Sequence, residues 1–225
     1  MNPILKRTLT GIAVGLAVIA AILLVPARAI APVVVVIAAL ASFEFFLLLR
    51  RKWSECPSAA NLARLAVIFL VGEALIVGGL SALSAVALKF GNLMLLYIVA
   101  IVKFSDVGGF ALGTATAKLM KGGNHKMCPS VSPGKSWEGL FGSVVFSCAV
   151  SCAFAAATDF GIGKMLAFGV AAAVLGTAGD LVESKFKRWV GVKDSSAMKI
   201  TNGMGGILDM VDSLLIAPVV LLFLI

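Results

Sequence analysis

The sequence predicts an all-α fold: a polytopic transmembrane helical bundle of roughly seven to eight spans, with the N-terminus on the cytoplasmic side. Three observations carry that expectation. Of the 225 residues, 60% are hydrophobic and only 13% charged, with a mean hydropathy of +1.07; a soluble domain carries about 25% charged residues. Apolar stretches long enough to cross a bilayer, about 20 residues each, recur along the whole chain. The basic residues between those stretches fall almost entirely on one side. No separable soluble domain or internal repeat is visible. The chain reads as one integrated membrane domain, with N-terminal transmembrane helices over 1–100 and a motif-bearing transmembrane region over 101–225.

The first span is expected at 8–25, behind Lys6 and Arg7. Its charged start, apolar core and small residues imitate a signal peptide, but the apolar run is too long and further spans follow at once. The next spans are expected at 28–49, 62–87, 92–117, 138–158, 161–178 and 206–225. The stretch 62–87 is long enough to be a broken pair, which would raise the count to eight. Lys103 and Asp106, beside the glycines of GGFALG, are expected to break or shorten the stretch 92–117.

Orientation follows from the loops. With the N-terminus inside, fifteen of the 19 Lys and Arg residues fall on inside loops and three (Arg28, Lys89, Lys164) outside, while Lys103 lies within a span. Basic residues favour the cytoplasmic side. The net charge of +8 is therefore read as a cytoplasmic face beside anionic lipid, and no nucleic acid partner is expected. The loops 118–137 and 179–205 then face the cytoplasm, with Asp106, Asp209 and Asp212 at the span ends abutting them.

The segment Gly179–Asp212 holds five of the 11 acidic residues: Asp180, Glu183, Asp194, Asp209 and Asp212. Charge beside hydrocarbon is costly unless paired, hydrated or metal-bound, so such a density marks a site. Asp209 and Asp212, three apart, share one face of a helix with Cβ atoms about 5–6 Å apart. That spacing beside cytosol suits a hard divalent cation shared with substrate phosphates. Gly203, Gly205 and Gly206 just before them allow close backbone approach. The plainer reading makes the acids the first turn of a helix, favoured there by its dipole.

Asp180, Glu183, Ser184, Lys187 and Arg188 recur at helical spacing and can share a face. Glu183 and Lys187 are also what a solvated i,i+4 pair looks like. Lys187 and Arg188 could hold phosphate by point charge and planar fork. In SVSPGKSWEGLFGS, residues 130–143, Ser132-Pro133-Gly134 reads as a turn, and Lys135 and Ser136 stand just before a helix starting near Trp137. A Lys and a Ser at a helix start can cradle phosphate, although Ser136 is equally a helix cap. Trp137 is expected as an interfacial anchor. The four cysteines show no zinc or disulfide spacing, and Cys148 and Cys152 are expected to serve packing. The single histidine, His125, reads as a solvated loop residue.

Taken in order, these motifs resemble a known family. Ser184-x-Phe186-Lys187-Arg188-x4-Lys193-Asp194, followed by Gly205-Gly206-Ile207-Leu208-Asp209-x-Val211-Asp212, looks like the C-terminal signature of phosphatidate cytidylyltransferases (CDP-diacylglycerol synthases). Asp106-Val107-Gly108-Gly109-Phe110 and Ser132-Pro133-x-Lys135-Ser136-Trp137-Glu138-Gly139 are similar to two further motifs of that family. The resemblance covers roughly residues 100–215; before it only generic spans match, with Glu44 the exception. Met204 and Met210 stand where the family usually has a His and an Arg, and the stretch from Asp194 to Gly205 is about two residues longer.

The resemblance implies transfer of the cytidylyl group of CTP to phosphatidic acid, giving CDP-diacylglycerol and pyrophosphate, with Mg2+ as cofactor. It makes 101–225 the catalytic region, in a bacterial inner membrane with the active site facing the cytoplasm. It implies metal binding by Asp209 and Asp212, helped by Asp180 and Asp106, and catalysis by Lys187, Arg188, Lys193 and Asp194. It also implies substrate binding by Ser132, Lys135, Ser136, Gly205 and Gly206. Acyl chains would stay in the bilayer, requiring a lateral opening; a homodimer is compatible. The alternatives are a divergent paralogue, a related CTP-dependent lipid kinase or cytidylyltransferase, and a membrane transporter. A transporter would spread its charges along a path rather than cluster them on one face.

Overall fold

The computed structural model describes residues 15–55, 57–192 and 206–224. Among the described residues there are seven helices: α1 (Gly15–Leu24), α2 (Ala27–Glu55), α3 (Ala59–Phe90), α4 (Asn92–Leu119), α5 (Trp137–Ala157), α6 (Ile162–Val190) and α7 (Ile207–Leu224). Six of them, α2 to α7, are long and apolar enough to cross a membrane, and the described part of α1 is shorter. This is the all-α polytopic architecture of an integral membrane protein. Large apolar side chains such as Leu24, Val35, Leu70, Phe110 and Phe223 cover its outside, where lipid replaces water as the surrounding medium.

The structure revises four expectations. The stretch 62–87 is no broken pair: α3 is one continuous helix of 32 residues, opened by Ser58 accepting from the Asn61 amide at 3.2 Å. Nor does α4 break at Lys103, Asp106 or the glycines beyond them. Asp106 consequently lies mid-helix, with 13 residues of α4 beyond it, about 20 Å at 1.5 Å per residue, rather than at the span end. The expected loop from residue 179 is helical as far as Val190. α6 stops there because Gly191, at φ 81°, adopts the left-handed conformation and its amide bonds back to Arg188, while Val192 bonds to Lys187.

The fourth revision concerns the segment before α5. Ser132-Pro133-Gly134 is not a turn but part of β2 (Ser132–Ser136), paired antiparallel with β1 (Lys126–Cys128) through an irregular register. Gly122 and Gly123, with φ of 106° and 81°, let the chain reverse after α4 into this hairpin.

Side chains small enough to admit a neighbouring backbone bring the helices together. A Cβ on Gly142 of α5 would sit 2.4 Å from the Gly108 carbonyl of α4, and one on Gly79 of α3 would sit 2.3 Å from the Leu215 carbonyl of α7. Small residues at such contacts let transmembrane helices gain close packing that lipid cannot match. Tyr97 is fully enclosed, and its hydroxyl meets Ser151 Oγ at 2.9 Å and donates to the Met165 carbonyl at 3.2 Å. It ties α4 to α5 and α6. The cysteines do not fill the core: Cys152 is exposed and Cys148 half-buried.

Candidate active site

The tight α4–α5 contact fixes one wall of a cavity of about 440 Å³. α4 lines it with Lys103, Asp106, Gly109 and Phe110, and α5 with Gly139, Leu140 and Ser143. The hairpin contributes Ser132, Gly134, Lys135 and Ser136. α6 supplies Thr177, Asp180, Glu183 and Ser184, and α7 supplies Asp209, Asp212 and Ser213. Five carboxylates therefore meet in one space.

Local bonds hold the hairpin over this space. Ser136 caps α5, its side chain accepting from the Gly139 amide at 3.1 Å. The Trp137 amide donates to the His125 carbonyl at 3.0 Å, and Asn124 Nδ2 donates to the Gly113 carbonyl at 2.8 Å. Glu138 accepts from the His125 amide at 3.1 Å and lies 2.6 Å from its Nδ1. His125 is thus exposed, as expected of a loop histidine, but is also a strut of the hairpin. Trp137 is exposed beside it.

This framework presents Lys135 to α6, where its Nζ lies 2.5 Å from Asp180 Oδ2. A second lysine joins the two acidic helices. Lys187 Nζ lies 3.2 Å from Glu183 Oε1, one turn earlier on α6, and 2.9 Å from Asp209 Oδ1 on α7. Both side chains of each pair are only 14–15% exposed, so the Glu183–Lys187 pair is an interior contact rather than the solvated one its spacing allowed. Lys103 and Asp106 form a looser pair at 3.9 Å, each about half exposed.

The start of α7 combines two roles. Asp209 Oδ2 accepts from the Gly206 amide at 3.0 Å, the arrangement of an acid that reaches back to close its own helix's first turn. Its other oxygen, Oδ1, faces Lys187. Asp209 is therefore the first-turn acid of the plain reading, and it also lines the acidic cavity. Among the described residues, no group of three or more His, Cys, Asp or Glu side chains is arranged to hold a metal by itself.

The structure brings together Asp106, Asp180, Asp209, Asp212, Ser132, Lys135 and Ser136 in the cavity wall, with Lys187 bonded to two of its acids and Gly206 to one. Arg188 is not among the lining residues: it is exposed, and its Nη1 donates to the Val192 carbonyl at 3.3 Å. Lys193, Asp194 and Gly205, with Gly203 and Met204, lie outside the described residues. Met210 is 38% exposed and also stands off the cavity wall. Sequence reasoning missed Lys103 as a lining residue, although a lone lysine within a span is itself a signal. It gave Glu44 no role, and Glu44 accepts from the Leu208 amide at 2.9 Å.

Comparison with known proteins bears on the same region. The model of the Cytidylyltransferase family matches residues 57–225, a stretch that includes every wall of the cavity. A phosphatidate cytidylyltransferase of Haemophilus influenzae is 38% identical over 130 residues, covering 55% of this chain and 42% of that protein. Proteins of the same name from Staphylococcus aureus and Mycobacterium bovis are each 41% identical, over 121 and 115 residues. These alignments cover 53% and 49% of this chain, and 44% and 34% of those relatives. The similarity thus spans less than half the length of these curated relatives. Since the family match takes in three quarters of the chain and all the helices that enclose the acidic cavity, this protein belongs to the cytidylyltransferase family.

Proposed function

We propose that this chain transfers the cytidylyl group of CTP to phosphatidic acid, giving CDP-diacylglycerol and pyrophosphate, at the cytoplasmic face of a bacterial inner membrane. The observation that carries the proposal is the convergence of Asp106, Asp180, Asp209, Asp212 and Lys135 around one cavity, with Lys187 paired to Asp209, in a membrane-embedded member of this family. The relatives' name supports the substrate pair. The basic residues at the ends of α2, α4 and α6 support the cytoplasmic assignment.

The donors fit magnesium. All are carboxylate oxygens, which hard cations prefer, and magnesium commonly takes only one or two of them, adding water and substrate phosphate. A preassembled three-carboxylate cage is therefore not required. Asp209 and Asp212 would hold the ion, with Asp180 and Asp106 across the cavity. When bound, it would neutralise the phosphate charge that accumulates during transfer.

The chain's own residues would do the rest. The attacking group is the phosphate monoester of phosphatidic acid, whose second pKa is about 6, so it is largely ionised at neutral pH. Its oxygen forms a bond to the α-phosphorus of CTP as the bond to the β-phosphate oxygen breaks, and pyrophosphate leaves with that electron pair. No general base is needed, because the attacking oxygen is already ionised. The obstacle is repulsion between two polyanions. Lys135 and Lys187 carry the ammonium groups placed to offset it, each exchanging a carboxylate partner for phosphate oxygen. Ser132 and the hairpin backbone border the same space.

Purified protein in detergent or lipid, given labelled CTP, phosphatidic acid and Mg2+, is expected to form CDP-diacylglycerol. Asp209→Asn is expected to abolish that product, which separates catalysis from contamination. Wild-type turnover in the variant would overturn the metal assignment. Solute flux in proteoliposomes without any CTP turnover would instead support a transporter.

A further inference from the structure

Glu44 is 2% exposed and sits in α2, an apolar helix that precedes the family-matched region beginning at residue 57. A carboxylate so enclosed must be compensated locally. Its Oε2 accepts from the Leu208 amide at 2.9 Å, across 164 residues of chain. Leu208 is the second residue of α7, so its amide is one of the first-turn donors left without a partner inside the helix. A Ser or Asp at the cap normally fills that role. Here Gly206 precedes the helix and has no side chain to do so, and Glu44 supplies the acceptor from another helix.

The next residue acts in parallel. Phe45 packs against Phe186 of α6 with ring centroids 5.3 Å apart. Adjacent residues of α2 thus grip Leu208, next to Asp209, and Phe186, next to Lys187. Lys187 and Asp209 are the two groups that meet at 2.9 Å. The side chain of Asp209 is bonded to Gly206 within its own first turn, so any drift of that turn carries the carboxylate with it.

We infer that Glu44 is a positioning residue for the proposed transfer, holding the first turn of α7 so that Asp209 stays in register with Lys187. The inference rests on the cytidylyltransferase reading given above. Misplacement of a reacting group by about 1 Å can cost on the order of 100-fold in rate.

The test compares Glu44→Leu, Glu44→Asp and Glu44→Gln in the full chain. Two readouts are taken: amide hydrogen exchange of the peptide spanning 206–212, and kcat and KM for CTP with phosphatidic acid and Mg2+. Glu44→Leu is expected to speed exchange at Leu208 and lower kcat about 10- to 100-fold. Glu44→Asp, whose oxygen is drawn back by about one C–C bond, is expected to move both readouts the same way to a smaller extent. It stands in for the leucine variant should that one not fold. Glu44→Gln keeps a neutral acceptor and is expected to restore slow exchange and most of kcat. Faster exchange at Leu208 with wild-type kcat in the leucine or aspartate variant would overturn the inference, leaving Glu44 a structural cap. A glutamine variant with slow exchange but kcat as low as that of the leucine variant would overturn it equally. Absence of turnover in the wild-type protein would instead count against the cytidylyltransferase reading, and exchange would still report whether Glu44 holds α7.

Discussion

Lys187 and Asp209, 22 residues apart and on different helices, are joined by a contact of 2.9 Å between Nζ and Oδ1. The same ammonium lies 3.2 Å from Glu183 Oε1. One lysine therefore holds the acidic faces of α6 and α7 together, and any ligand that recruits it must loosen that joint.

Replacing Lys187 with Met is expected to damage both stability and activity. Removing one partner from an enclosed ion pair leaves uncompensated charge and costs about 3 kcal/mol or more. Thermal unfolding in detergent should show a clearly lowered Tm. The folded fraction should lose about 100-fold or more in kcat/KM with CTP.

Replacing Lys135 with Gln should separate those two effects. Its pair with Asp180 is more open, with the lysine side chain 34% exposed against 15% for Lys187. The Tm is expected to change much less than for Lys187→Met, while kcat/KM falls about 100-fold because a phosphate-facing charge is gone. Equal Tm losses in the two variants would contradict the difference in enclosure.

Gly142→Val tests the α4–α5 contact. Even its Cβ would approach the Gly108 carbonyl to 2.4 Å, so the helices must separate, at a cost of about 1–3 kcal/mol. Both Tm and turnover should fall, since the wall carrying Asp106 moves away from the hairpin carrying Lys135. Gly163→Ala, where nothing lies within 4 Å of the added carbon, is the control and should leave turnover unchanged without lowering the Tm.

Tyr97→Phe removes the hydroxyl that meets Ser151 and the Met165 carbonyl. The loss of an enclosed hydrogen-bonding group is expected to cost about 1–2 kcal/mol, read as a lower Tm. The aromatic packing on Phe154 and Phe168 is retained, and kcat should stay near wild type because the group lies away from the cavity.

Much of this protein is written locally in its chain. Hydropathy places the spans, because each apolar stretch must satisfy its own backbone in lipid and therefore becomes a helix. The acids of α6 and α7 and the Lys135-Ser136 pair are legible from spacing, because helical period depends only on sequence neighbours. Helix extent is less so: the polar turn from Asp180 to Arg188 looks like loop by hydropathy, yet the helix continues until Gly191 can end it. What only tertiary structure decided is which groups meet. Lys187 turns inward while its neighbour Arg188 stays at the surface. Lys135 finds Asp180 across 45 residues, and Glu44 reaches Leu208 across 164. Those pairings depend on how closely helices approach at positions such as Gly108, Gly142 and Gly79. Helix approach is a property of facing surfaces rather than of any one stretch of sequence.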